Sequence, residues 1–269
     1  MPTERIHFSD LPADVQDAVT ARTGPILHAA TVSSGFNSAL AARLATEQGE
    51  LYIKGLPVGH PRVWTQEREA AVSPYVEGIS PRARWRVEAG GWDLVAFDAL
   101  SGRQADYSPS SEDLPLVAAT LERLSALRAP DGVELKRAEH RLRNYAPASA
   151  LGHFAGDALL HTDPNPGNIL VGRGQAWLVD WAWATRGAPW LDAGYWVVWL
   201  IAEGGHPPAS AEQWATRIPA FRAVRPAAVD AFAAANENVW AEIAEHDPDP
   251  WTHRVHTAAK TWAAHRVRD

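Results

Sequence analysis

The sequence predicts an α+β protein in two parts, a strand-rich first hundred residues and a larger, mostly helical remainder. Three observations predict it. Short apolar runs separated by turn residues recur up to residue 97, as in strands. The pattern breaks at Asp98-Ala99-Leu100-Ser101-Gly102. Beyond the break, apolar residues recur at helical spacing, first at Leu114, Val117, Leu121, Leu124 and Leu127. At 269 residues the chain can bury a substantial core, as one large domain or as two lobes.

Taken in order, Asp10-Leu11-Pro12 opens a first helix, with proline near its first turn and Gly24 closing it. Ile26 to Val32, Ala39 to Ala45 and Leu51 to Lys54 read as strands. Ser33-Ser34-Gly35-Phe36-Asn37-Ser38 and Gln48-Gly49 are the turns between them. A helix is expected from about Pro61 to Tyr75. Arg84 to Glu88 and Trp92 to Phe97 are two further strands, joined by Gly90-Gly91. Residues 103–110 are polar and irregular. After the helix at 114–127, a second is expected from Val133 to Tyr145. Another runs from about Leu191 to Glu203 and ends at Gly204-Gly205, and three more lie near 209–222, 226–245 and 250–266. There is no internal repeat.

Composition narrows the function classes. The chain has no cysteine, which excludes disulfides and thiolate metal sites. A net charge of −7 argues against a nucleic-acid binder and is compatible with a cationic small-molecule partner. The N-terminus lacks an apolar signal core, and Tyr195 to Ala202, the most lipophilic run, is far too short to cross a bilayer. A soluble cytoplasmic protein with no membrane partner is expected, a monomer by default. His253 and His256, with His246 upstream, have no obvious further ligand, so no structural metal is expected.

The chemistry concentrates in Leu159-Leu160-His161-Thr162-Asp163-Pro164-Asn165-Pro166-Gly167-Asn168 and in the later run Trp177-Leu178-Val179-Asp180. Asp163 and Asn168 sit in a tight Pro/Gly loop, and Asp180 ends an apolar run. Phosphoryl transfer from a nucleotide needs a carboxylate near the acceptor hydroxyl, and an amide with a second carboxylate to hold Mg²⁺. The order Asp, Asn, Asp meets that need. Only Lys54, Lys136 and Lys260 are lysines in an arginine-rich chain. Lys54 ends Leu51-Tyr52-Ile53, where a compact ammonium suits a place between phosphates and a carboxylate.

These segments resemble the aminoglycoside phosphotransferase family of the protein-kinase-like superfamily: His161-x-Asp163-x-x-x-x-Asn168, then an aliphatic run into Asp180-Trp181, and Gly187-Ala188-Pro189-Trp190-Leu191-Asp192. The likeness is strong over roughly 155–205, weaker from 26 to 102, and thin after 205. It implies a bilobal fold: a small N-terminal lobe (1–98) with an antiparallel sheet and one main helix, a hinge (99–102), and a larger helical lobe (103–269). It further implies Asp163 as the catalytic carboxylate, Asn168 and Asp180 as Mg²⁺ ligands, and Asp192 as a structural carboxylate steadying the loop. Lys54, steadied by Glu69 in preference to Glu67, would hold the α/β-phosphates of ATP, or of GTP. Ser34, Gly35, Phe36 and Asn37 would cover the phosphates, and the backbone near Phe97, Ala99 and Leu100 would meet the purine edge.

The acceptor implied is the hydroxyl of a cationic small molecule, an aminoglycoside or aminocyclitol antibiotic first. Choline, homoserine and sugars are the alternatives, as is a nucleotide-binding regulator with little catalysis. Ten of the thirteen tryptophans follow residue 170. Most belong in the core, while a minority, with Glu203, Glu237 and Glu242, would line an acceptor pocket.

Overall fold

The computed structural model describes residues 5–32 and 38–267. The chain divides into two compact units, Met1–Gly102 with Val179–Ala182, and Arg103–Leu178 with Trp183–Asp269.

The first unit carries α1 (Ala13–Thr23), β1 (Ile26–Thr31), β2 (Leu40–Thr46), β3 (Gly49–Pro57), α2 (Trp64–Val72), β4 (Ala83–Ala89) and β5 (Trp92–Asp98). Its five strands form one antiparallel sheet in the order β1-β2-β3-β5-β4. Gly24 ends α1 at φ 70°, a left-handed position that costs glycine little. Leu40, Ala42 and Leu44 alternate along β2, so they share one face of the sheet. With Ile53 and Leu94 they bury against Val15 and Val19 of α1 and Phe8 and Leu11 before it.

Two expectations are corrected here. β3 continues through Gly55-Leu56-Pro57, so Lys54 lies within the strand, paired with Ala41 and Val95, instead of at its end. The helix expected over 61–75 is α2 followed by a 3₁₀ turn at Ser73–Tyr75, where Pro74 has no N–H to extend the α pattern.

The second unit carries β6 (Arg103–Gln104), α3 (Asp113–Ser125), β7 (Lys136–Arg137), α4 (Ala138–Arg141), β8 (Ala158–Leu160), β9 (Ile169–Gly172), β10 (Gln175–Leu178) and β11 (Thr185–Gly187). Then follow α5 (Leu191–Ala202), α6 (Pro208–Ala215), α7 (Pro219–Arg222), α8 (Pro226–His246) and α9 (Pro250–Arg266). Two small sheets run β10-β9-β6 and β7-β11-β8. Proline opens each of α6 to α9, where a missing N–H costs nothing. Asp249 caps α9 by accepting the N–H groups of Trp251 and Thr252.

Three readings fail in this unit. The irregular stretch 103–110 begins with a strand, because Arg103 and Gln104 pair with Val171 and Leu170. The helix expected over 133–145 shrinks to the single turn α4. Only Ala138 and Leu142 of that stretch are buried, and Lys136 and Arg137 pair in parallel with Thr185 and Arg186 instead. The helix near 209–222 splits in two at Pro219.

Phe232 of α8 centres the helical core. Its ring lies 4.9 Å from Tyr195, 5.4 Å from Trp190, 6.0 Å from Phe154 and 6.1 Å from Trp262. Gly194 of α5 admits it, since a Cβ there would stand 2.7 Å from the ring. Trp190, Trp196, Trp199 and Trp262 are buried, whereas Trp183 and Trp251 are exposed. Among the described residues no helix is long and apolar enough to cross a membrane.

Phe232→Ala should destabilise the second unit by about 3–5 kcal/mol, and Gly194→Ala by about 1–3 kcal/mol. Urea unfolding followed by tryptophan fluorescence checks both.

Candidate active site

In the first unit, strand β3 and helix α2 bring opposite charges together out of water. Helical periodicity turns Glu69 to the same buried face as Thr65 and Val72, and leaves Glu67 exposed. Lys54 Nζ stands 2.5 Å from Glu69 Oε1 and 3.8 Å from Asp180 Oδ1, with Lys54 and Glu69 both buried. The ring of Phe97 lies 5.8 Å from the ammonium. Burial opposes the charge on Lys54, but Asp180 and Glu69 together outweigh it and hold its pKa above the ordinary value. Burial likewise pushes the Glu69 carboxyl up to about 7, against the pull of Lys54. Asp180 sits at φ 66°, in the left-handed region. The next residue is tied down, since the Trp181 indole N–H donates to Ser80 Oγ at 3.0 Å.

In the second unit, the loop after β8 is shaped by side chains that satisfy its backbone. The N–H groups of His161 and Thr162 donate to the two carboxylate oxygens of Asp192, at 2.9 and 2.7 Å. Asp192 is in the first turn of α5, where an anion is favoured. Its pKa is nevertheless raised to about 6, because burial outweighs the two N–H groups and the Arg141 charge. Thr162 takes φ 69°, uncommon for a β-branched residue. The His161 ring accepts the Asp163 N–H at 3.3 Å, and Tyr107 donates its hydroxyl to the Pro164 carbonyl at 2.7 Å. Asn165 accepts the Asn168 N–H through its side chain, which closes the Pro-Asn-Pro-Gly turn.

Asp163 and Asn168 meet at the end of that turn. The Asn168 amide donates to Asp163 Oδ2 at 2.9 Å and to the Asp163 carbonyl at 3.0 Å. With its NH₂ so committed, Asn168 has its carbonyl oxygen to offer a cation. That oxygen is a hard donor of the kind Mg²⁺ takes, and the Asp180 carboxylate of the first unit is a donor of the same kind. Among the described residues no group of three or more His, Asp or Glu side chains could cage a metal.

The other residues singled out in the sequence are placed as follows. Ser34, Gly35, Phe36 and Asn37 lie outside the described residues. Phe97 pairs within the sheet opposite Tyr52, the Ala99 N–H donates to the Glu50 carbonyl, and the Leu100 carbonyl accepts from Arg43. Glu203 pairs with Arg254 at 3.0 Å, and Glu242 accepts the Tyr145 hydroxyl at 2.9 Å. Trp199, Trp240 and Trp251 pack on one another with centroids 5.6–5.7 Å apart. Sequence reasoning missed Arg141, Tyr107 and Ser80. None stands in a motif, and each reaches its partner across a long separation in the chain.

Lys54→Met should destabilise the first unit by about 3–5 kcal/mol, by leaving the buried Glu69 carboxylate without its cation, and adding Glu69→Leu should recover part of that loss. Denaturant unfolding of the single and double variants checks this. Asp192 retains a proton in the folded chain up to about pH 6, whereas its ordinary value is 3.8. Its contribution to stability is therefore full below about pH 4 and lost as pH rises through 6. Urea titrations from pH 4 to 7.5 should show that loss in the wild type and not in Asp192→Asn.

The sequence matches no protein-family model and no curated protein. Solved structures do resemble it. Choline kinase LicA from Streptococcus pneumoniae superposes with a TM-score of 0.63 at 12% identity, covering 93% of this chain and 98% of that one. Aminoglycoside phosphotransferase from Alicyclobacillus acidocaldarius gives 0.60 at 14% identity, over 96% and 97% of the two chains. A thermostable mutant of aminoglycoside phosphotransferase APH(4)-Ia, in ternary complex with AMP-PNP and hygromycin B, gives 0.62 at 13% identity, over 94% and 99%. At such identities the likeness is one of fold, and the chain has the protein-kinase-like fold of the small-molecule kinases.

Proposed function

We propose that this chain is a Mg²⁺-dependent O-phosphotransferase that moves the γ-phosphoryl of ATP, or of GTP, to a hydroxyl of a small molecule. The observation that carries the reading is the buried Lys54 held between Glu69 and Asp180. That ammonium is charged at neutral pH, costly to bury and already met by two carboxylates. Such an arrangement stabilises poorly and suits a site in which Asp180 turns to Mg²⁺ and the Lys54 charge to nucleotide phosphates. The fold supports the reading, because solved structures that share it include a choline kinase and aminoglycoside phosphotransferases, one with AMP-PNP bound.

Lys54, steadied by Glu69, holds the α/β-phosphates. Asp163, its carboxylate oriented by the Asn168 amide, aligns the acceptor hydroxyl and takes its proton. Asn168 Oδ1 and Asp180 would hold Mg²⁺, which would neutralise charge on the phosphate oxygens. The chain near Phe97 to Leu100 meets the purine. Positioning and electrostatics supply most of the acceleration in this class of reaction.

The acceptor we propose first is an aminoglycoside or aminocyclitol, phosphorylated in the cytoplasm by a monomer as a means of resistance or self-protection. The net charge of −7 and the exposed face of Trp251 support a cationic acceptor. Choline is the second candidate, favoured by the likeness to a choline kinase.

The test is Mg²⁺-dependent transfer from ATP and GTP to a panel of aminoglycosides and small metabolic alcohols. Asp163→Asn should lower turnover by roughly 10²–10⁴-fold with the fold intact by circular dichroism. Equal turnover in that variant would overturn the assignment of Asp163.

A further inference from the structure

Arg141 ends the one-turn helix α4, and its place follows from how that turn is docked. Lys136 and Arg137, just before it, pair in parallel with Thr185 and Arg186, so the α4 turn is laid beside β11. From there Arg141 Nη1 donates to Thr162 Oγ1 at 2.9 Å, to Thr185 Oγ1 at 2.6 Å and to the Trp183 carbonyl at 3.2 Å. The two threonine hydroxyls in turn donate to that same carbonyl, at 3.1 and 2.8 Å. Thr162 and Thr185 are both buried. The guanidinium also lies 5.8 Å from the Trp183 ring.

This cluster closes on one backbone position. Thr162 holds φ 69°, a conformation that costs a non-glycine residue energy and persists only where its surroundings over-determine it. Asp192 grips its N–H, and Arg141 grips its hydroxyl. The next residue is Asp163. A relaxed Thr162 would swing the Asp163 carboxylate away from its place, and a displacement of about 1 Å costs on the order of 10²-fold in rate.

We infer that Arg141 is a positioning residue for phosphoryl transfer: through Thr162 it sets the direction in which Asp163 meets the acceptor hydroxyl. The inference rests on the reading of Asp163 as the catalytic carboxylate. A purely structural role would predict a less stable protein whose folded fraction turns over normally. A positioning role separates kcat from nucleotide affinity, since the Arg141 guanidinium spends its hydrogen bonds on Thr162, Thr185 and the Trp183 carbonyl.

The experiment compares the full chain with Arg141→Ala, Arg141→Lys and Thr162→Val, using ATP and the acceptor that the panel identifies. Arg141→Ala should lower kcat by about 10²-fold and leave KM for ATP within about twofold. Guanidinium ion in the buffer should restore part of the loss, and methylammonium should not. Thr162→Val should reproduce the kcat defect without rescue. Amide hydrogen exchange supplies a readout free of turnover: exchange at Thr162 and Asp163 should quicken at least tenfold in Arg141→Ala, and stay unchanged in Arg186→Ala, whose side chain pairs with Asp131. Normal kcat in folded Arg141→Ala overturns the inference, as does unchanged exchange at Thr162. If the wild type phosphorylates no acceptor, the functional reading falls, and the exchange result still decides whether Arg141 orders the loop. If Arg141→Ala does not fold, Arg141→Lys and Thr162→Val carry the same comparison.

Discussion

The Asp192 carboxylate, sunk into the first turn of α5, is the constraint on which the second unit's chemistry depends. A buried carboxylate must find donors, and a loop that departs from regular structure must find acceptors. Here the two needs meet, because the N–H groups of His161 and Thr162 go to the two Asp192 oxygens. The helix that carries Asp192 also carries Gly194 and Tyr195, which pack against Phe232. The loop bearing Asp163 is thereby anchored to the helix that packs against Phe232. Precision at the loop comes from the core, by way of one carboxylate.

The first unit solves a different problem. Lys54 and Glu69 are both buried, which costs more than apolar residues would in their place. Burial further pushes Glu69 toward its neutral form, and the adjacent ammonium and the Trp181 backbone N–H resist that. Such an arrangement is poor as a stabilising device, which fits the phosphate-holding role proposed for Lys54. The left-handed conformation of Asp180 agrees with this, since strain concentrates where a side chain must be aimed. Thr162 repeats the theme in the other unit.

Much of this was legible in the residues. The alternation of Leu40, Ala42 and Leu44, the break at 98–102, the helix ending at Gly204-Gly205 and the spacing of Asp163, Asn168 and Asp180 are all local patterns. The structure brings Asp163 onto Asn168, and Lys54 onto Glu69 rather than Glu67. The helical period alone had separated those two glutamates without saying which faced the sheet. The failures share a cause. The stretch 133–145 has helical composition but only two buried residues, and a strand partner 49 residues further along takes Lys136 and Arg137 instead. Arg103 and Gln104 look irregular until Leu170 and Val171 pair with them.

By itself the sequence determined the classes of element, the loop chemistry and the types of charged group, because these depend on propensity, periodicity and turn residues within about ten positions. Tertiary structure decided which charges are buried together, which arginine reaches the loop, and that Asp180, though it follows β10 of the second unit, groups with the first. Those outcomes rest on side chains meeting across 15 to 126 residues. Their energy depends on burial and direction in space, which no local pattern encodes.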